Sequence, residues 1–263
     1  MIGRLTEDKG YRSVRSVLSH PVVPVVLGWL TAALLFAGSV ITLLLSNDIT
    51  APALPPPPAK PDLLTSTVVY FANERQRWTQ EVVSGCLFAA GFVALAGLAV
   101  FLSRRHGAPD LGGTLMVVPL SIGAALGVGS ALLSLGAEQA ALDPHICDCK
   151  YSATQLIAQE RGLILANNSA SWMLYGFFAL AAVAFAVGAL SAVGADMGRG
   201  WRYLAEVIAV LFVVGLVASV VGASTLNDII VGIGGGILLP VWAIWTGRKV
   251  RLSLTGNALA RAI

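Results

Sequence analysis

Four stretches of this chain, residues 21–46, 82–103, 111–136 and 170–195, contain no Asp, Glu, Lys or Arg. A helix rises about 1.5 Å per residue, so about 20 residues cross a hydrocarbon core about 30 Å thick, and each stretch is long enough. Two further apolar stretches, 203–223 and 229–246, bring the set to six. The last is the shortest and reaches full length only by taking in Asn227 and Asp228. Ala, Leu and Gly dominate, without the alternation of a barrel strand, so the spans are expected to be helices. The fold class expected is all-α: a polytopic membrane bundle of six transmembrane helices.

Composition agrees. The 263 residues are 56% hydrophobic and 12% charged, about half the charged fraction of an ordinary soluble domain. A nucleic-acid binder, a disulfide-rich secreted scaffold and a disordered chain are thereby excluded, and the lipid bilayer is the expected surrounding.

Lys and Arg set the expected orientation. Twelve fall on one side: Arg4, Lys9, Arg12 and Arg15 in a tail over 1–20, Arg104 and Arg105, Arg199 and Arg202, and Arg248, Lys249, Arg251 and Arg261 in a tail over 247–263. Five fall on the other: Lys60, Arg75, Arg77, Lys150 and Arg161. Trp201, Trp242 and Trp245 fall at the basic-rich ends, Trp78 and Trp172 at the opposite ends, as interfacial anchors do. The expectation is a six-span membrane domain over 21–246 in the plasma (inner) membrane, with both tails cytoplasmic. The first apolar run is about twice the length of a signal-peptide core and is read as an uncleaved anchor.

The two long loops, 47–81 and 137–169, are expected outside. The first begins with a proline-rich run, Ala51 to Pro61, which can only be extended or polyproline II because proline fixes φ and lacks an N–H. It reads as a stiff spacer. Beyond it, Leu64, Val68, Val69, Phe71, Ala72, Trp78 and Val82 form a rough helical stripe, with Arg77 and Glu81 four apart. Leu156, Ile157, Leu163 and Ile164 do the same before the fourth span.

The two regions echo one another. Ala72-Asn-Glu74-Arg75 resembles Ala158-Gln-Glu160-Arg161, and Gly91-Phe92-Val-Ala94-Leu95-Ala96 resembles Gly176-Phe177-Phe-Ala179-Leu180-Ala181. Val-Val-Pro-x-x-x-Gly recurs at Val22–Gly28 and Val117–Gly123. Duplication of one hairpin would place two outer helices side by side as a small helical extracytoplasmic cap. It differs from the three-plus-three inverted repeat of many transporters.

Candidate chemistry is sparse. His145, Cys147 and Cys149 could offer three ligands to Zn²⁺ or Cu⁺, but no fourth is evident. An oxidising outer face favours a disulfide between Cys147 and Cys149, with Cys86 as the only other partner, or a redox-active pair. Within the spans Glu206 is the leading ion or proton candidate, set against an ion pair with Arg202 one turn earlier. Asp228 is a second candidate, set against a helix-capping role. Glu74, Arg75, Arg77, Trp78, Glu160 and Arg161 offer an outer face for a partner, against the simpler reading of a solvated surface. The glycines Gly232, Gly234, Gly235 and Gly236, and Gly123, Gly127 and Gly129, read as sites of close helix contact.

What is missing weighs as much. No histidine lies inside a span, so axial haem ligands are lacking. There is no phosphate-binding loop, no H-E-x-x-H and no Ser/His/Asp set at membrane depth. No catalytic residue, cofactor, nucleotide or nucleic acid is expected. The expected function is a non-enzymatic membrane protein that binds or scaffolds a membrane-protein partner, or its own copy, as a subunit of an envelope complex. The alternatives are a small-solute or ion transporter or channel, and an extracytoplasmic thiol-redox protein.

Overall fold

The computed structural model describes residues 20–46, 63–103, 111–141, 152–222, 229–230 and 232–260. The regular structure among them is helical. α1 spans Val23–Ser46, α2 Leu63–Ser103, α3 Leu111–Ala141, α4 Ala153–Leu190, α5 Ala192–Met197, α6 Arg199–Val220 and α7 Leu239–Ala260, and a π-helical segment, Gly234–Leu238, leads into α7. Among the described residues five helical stretches are long and apolar enough to cross a membrane: Val23–Leu44, Trp78–Leu102, Leu111–Ala137, Ala153–Leu190 and Arg199–Val220. The chain is therefore an all-helical, multi-pass membrane protein.

The expected sixth span, 229–246, is helical over its described residues but not one continuous α-helix. The π segment interrupts it, and α7 restarts at Leu239 and runs on through Arg248, Lys249 and Arg251. Pro240 follows the π segment inside one continuous helical run, where Leu239 N–H still donates to the Gly234 carbonyl and the proline has no N–H to give.

The fourth span also departs from expectation. Its helix ends at Leu190 rather than running to 195, because Ser191 turns extended (φ −89°, ψ 175°). The Ser191 side chain donates to the Gly188 carbonyl at 3.1 Å, closing the last turn. α5 then makes a single short helix, and Gly198 at φ 92° supplies the left-handed residue that starts α6. The break is invisible to hydropathy because Ala192-Val-Gly-Ala195 remains apolar.

α2 and α4 are the longest helices, at 41 and 38 residues, or roughly 60 Å each, about twice the hydrocarbon thickness. α4 opens with a capping box: Ser152 Oγ accepts from Gln155 N–H, and Gln155 Oε1 accepts from Ser152 N–H at 2.8 Å. The N-terminal parts of both helices pack together with the end of α3. Phe71, Ala137, Leu156 and Leu163 form a small buried cluster, and the buried Thr67 donates through Oγ1 to Glu160 Oε2 at 2.5 Å.

Consecutive long helices pack on one another, and α7 returns to α1. That last seam is backbone on backbone. A Cβ at Gly28 would lie 2.5 Å from the Ala243 carbonyl oxygen, and one at Gly247 would collide with the Pro24 carbonyl. Such close approach is how helices associate where lipid removes the hydrophobic drive.

Buried aromatic rings form a continuous column through the bundle. Phe92 meets Phe177 edge-on (centroids 4.7 Å apart), Phe177 meets Phe212, Phe212 meets Phe185, Phe185 meets Trp242 at 4.8 Å, and Trp242 meets Trp201. Phe92 and Phe177, which occupy matching places in the two sequence echoes, are thus in direct contact.

Candidate functional site

Near the α2 and α4 extensions the column gives way to a cavity of about 460 Å³. Its lining follows from helical spacing. On α1 the lining residues are Leu35, Ser39 and Thr42; on α2 Glu81, Ser84, Gly85, Phe88 and Phe92; on α3 Gly127, Ser130, Ala131, Ser134 and Leu135. Each set follows the i, i+3, i+4, i+7 pattern of a helix and so occupies one helix face. α4 adds Leu174, Phe177 and Phe178, and Gly235 of the π segment and Leu239 complete the wall.

Small residues leave the room. A Cβ at Gly235 would meet nothing within 4 Å. The π turn that contains Gly235 also seats Gly236 against Ser39, where a Cβ would stand 2.8 Å from the serine Cβ. π turns inside α-helices recur at functional sites because the extra residue opens the helix wall.

The polar groups sit together on α1, α2 and α3. Among the described residues of the lining Glu81 is the one charged side chain, three residues inside the apolar span that begins at Trp78. Its Oε2 is shielded from solvent. Ser84 donates through Oγ to the Glu81 carbonyl at 3.0 Å, and Thr42 donates through Oγ1 to the Gly38 carbonyl at 3.0 Å. Ser39, Ser130 and Ser134 add three more hydroxyls. Phe88, Phe92, Phe177 and Phe178 form the apolar side.

Beyond Phe177 and Phe178 the bundle is filled. Phe185, Phe212, Trp201 and Trp242 are all essentially inaccessible, and Trp201 Nε1 donates to the buried Thr246 Oγ1 at 2.8 Å. The cavity is closed at the end where Arg199, Arg202, Arg248 and Lys249 lie. At that end a separate surface groove of about 440 Å³ runs along Val241, Ile244, Trp245, Arg248, Lys249 and Leu252, and the Arg248 guanidinium stands 5.5 Å from the centre of the Trp29 ring.

The residues singled out from the sequence fall elsewhere. Glu206 is ion-paired to Arg202 at 2.9 Å, on a partly exposed face of α6 that does not line the cavity. Asp228, His145, Cys147 and Cys149 lie outside the described residues. Glu74, Arg75 and Arg77 are on α2, at positions whose side chains lie outside the described set. Trp78 is half-buried, its Nε1 shielded and without a hydrogen-bond partner among the described residues. Glu160 turns toward Thr67, whereas Arg161 is exposed. Cys86 is an exposed free thiol on α2. Among the described residues no three His, Cys, Asp or Glu side chains cluster as a metal site would require.

Sequence reasoning missed the hydroxyl-bearing faces. Ser39 and Thr42, Glu81 and Ser84, and Ser130 and Ser134 recur at three- or four-residue spacing on three successive spans, and that register was the available signal. No family model matches this chain, and neither the curated proteins nor the solved structures give a match.

Proposed function

We propose that this chain is a non-enzymatic small-solute transporter of the plasma membrane, with six spans, cytoplasmic termini and a binding cavity reached from the outer side. The observation that carries the reading is the 460 Å³ cavity with its carboxylate, hydroxyls and phenyl rings. Its volume falls within the range typical of small-molecule sites. Hydroxyls and a carboxylate within a membrane bundle are costly unless they serve a ligand or one another. The filled aromatic half argues for a carrier rather than an open channel, because movement of solute requires that column to part. In this reading 229–246 is the sixth span, broken at the π turn beside the cavity, as discontinuous helices are in other carriers. The excess of Lys and Arg at the closed end supports its cytoplasmic assignment.

The test is uptake by proteoliposomes from a complex mixture of small metabolites, followed by mass spectrometry of the lumen. At least one solute should accumulate with the native chain and not with Gly235→Leu, which places a bulky side chain in the wall of the cavity. Identical lumen contents would overturn the proposal.

A second reading, a partner-binding subunit of an envelope complex, is favoured by one observation. The α2 and α4 extensions are packed to each other through Phe71, Leu156, Leu163 and the Thr67–Glu160 bond, which makes them a rigid surface. Gentle purification that yields one stoichiometric partner, together with no uptake, would select this reading.

A further inference from the structure

We infer that the groove along Val241, Ile244, Trp245, Arg248, Lys249 and Leu252 is a binding site for one anionic phospholipid. The headgroup phosphate lies between Arg248 and Lys249, and an acyl chain runs along the apolar part of the groove. Three observations converge on this occupant, and none depends on the cavity between α1, α2 and α3.

The first is depth. α7 is fixed against α1 backbone to backbone: a Cβ at Gly28 would stand 2.5 Å from the Ala243 carbonyl oxygen, and one at Gly247 would meet the Pro24 carbonyl. Residues 243–247 of α7 therefore lie beside residues 24–28 of α1, at the beginning of the apolar stretch Val23–Leu44. Arg248 and Lys249 come next along α7, level with the end of that stretch, where a bilayer places its headgroups. Val241 and Ile244 lie deeper, at the level of hydrocarbon. Trp29 and Val241 are exposed, so this face is open to the bilayer.

The second is pattern. Positions 241, 244, 245, 248, 249 and 252 follow helical spacing, so a single face of α7 carries the groove. Its deeper part is apolar, and Arg248 and Lys249 follow. Helical side chains lean toward the N-terminus of their helix, so both cations lean over the apolar part. A ligand negative at one end and hydrocarbon at the other matches this order. A free phosphate would leave the apolar floor bare, and a plain hydrocarbon would leave two cations without a counter-ion.

The third is charge. No Asp or Glu lines the groove, and among the described residues neither Arg248 nor Lys249 has a carboxylate within ion-pair distance. The Arg248 guanidinium stands 5.5 Å from the centre of the Trp29 ring. That attraction holds the cation at this depth without supplying a counter-ion. The guanidinium fork suits phosphate oxygens, and the Lys249 ammonium adds a second charge.

The experiment is native mass spectrometry of the full chain released from detergent micelles, titrated with phosphatidylglycerol or phosphatidylcholine of the same acyl chains. The first phosphatidylglycerol should bind at least about tenfold more tightly than the first phosphatidylcholine, as two basic side chains beside one negative headgroup imply. Arg248→Gln with Lys249→Gln should bring the two lipids to within about threefold of each other. Arg199 and Arg251 are exposed at the same end and lie outside the groove. Arg199→Gln with Arg251→Gln therefore removes as much charge and should leave the preference intact. Equal binding of the two lipids by the native chain would overturn the anionic assignment. Loss of the preference in both double variants would overturn the site in favour of diffuse attraction to a basic surface. Displacement of phosphatidylglycerol by inorganic phosphate would overturn the lipid in favour of a free anion. A dimer held together without lipid, and separated by the Arg248 and Lys249 substitutions, would overturn it in favour of a second copy of the chain.

Discussion

Alanine at Gly28 provides the sharpest test of how the bundle is closed. In an ordinary helix Gly→Ala adds stability, about 1 kcal/mol, by restricting the unfolded chain and restoring helix propensity. Here the added methyl would stand 2.5 Å from the Ala243 carbonyl oxygen and 3.4 Å from the Gly247 Cα. The first separation is about 1 Å inside favourable contact. The atoms it meets are main chain, so no rotamer relieves the clash and α1 must move away from α7. Overpacking of this kind costs about 1–3 kcal/mol. With a rigid carbonyl as the obstacle the upper part of that range applies, so Gly28→Ala should lose about 1–2 kcal/mol net of the propensity gain. Gly247→Ala should lose a similar amount, since its methyl would meet the Pro24 carbonyl. The two contacts share one seam: once the first alanine has parted the helices, the second finds room. The double variant should therefore lose less than the sum of the singles. Gly136→Ala and Gly162→Ala are the controls, because a Cβ at either meets nothing within 4 Å, and they should be neutral or stabilising. The assay is reversible SDS unfolding in mixed micelles, followed by tryptophan fluorescence. Equal stability of Gly28→Ala and Gly162→Ala would refute a backbone seam between α1 and α7.

Three further outcomes are expected. Trp201→Phe and Thr246→Val each leave a buried group without its partner and should each lose about 1–3 kcal/mol, while the double variant loses clearly less than the sum; the same unfolding assay measures all three. Phe212→Ala removes a ring that touches Phe177, Phe178 and Phe185, and should lose about 3–5 kcal/mol, read as a lower unfolding midpoint. Glu206→Gln breaks a pair whose side chains are 47% and 37% exposed, so stability should change by under about 0.5 kcal/mol and uptake should persist; loss of uptake would move the site from the cavity to α6.

The helices were legible because a charge-free run of more than twenty residues has few other places to go. The continuation of α2 and α4 beyond their spans was legible too, from the stripe through Leu64, Val68 and Phe71 and from Leu156 through Ile164. The breaks were not. Ser191 ends α4 inside an apolar run, and the π turn at Gly234–Leu238 interrupts a stretch that hydropathy alone treats as one span. Hydropathy reports the solvent a segment prefers. It does not report whether the main chain within that segment stays in the α conformation.

The cavity was harder to see for a related reason. Serine and threonine in a membrane helix commonly bond to their own backbone, so their presence signals little by itself. Thr42 and Ser84 do this, and still line the cavity. Glu81 stands four residues after Arg77, and spacing along one helix does not show that the side chain also lines a cavity between helices. Glycine shows the same ambiguity most plainly. Gly234, Gly235 and Gly236 are consecutive and chemically identical, yet a methyl on Gly236 would strike Ser39, one on Gly234 would touch Phe212, and one on Gly235 would enter open space. Close contact and vacant volume both require a small residue, and what separates them is the side chain supplied by another helix. Ser39 approaches from α1 and Phe212 from α6, whereas nothing approaches Gly235, and there the bundle keeps its cavity.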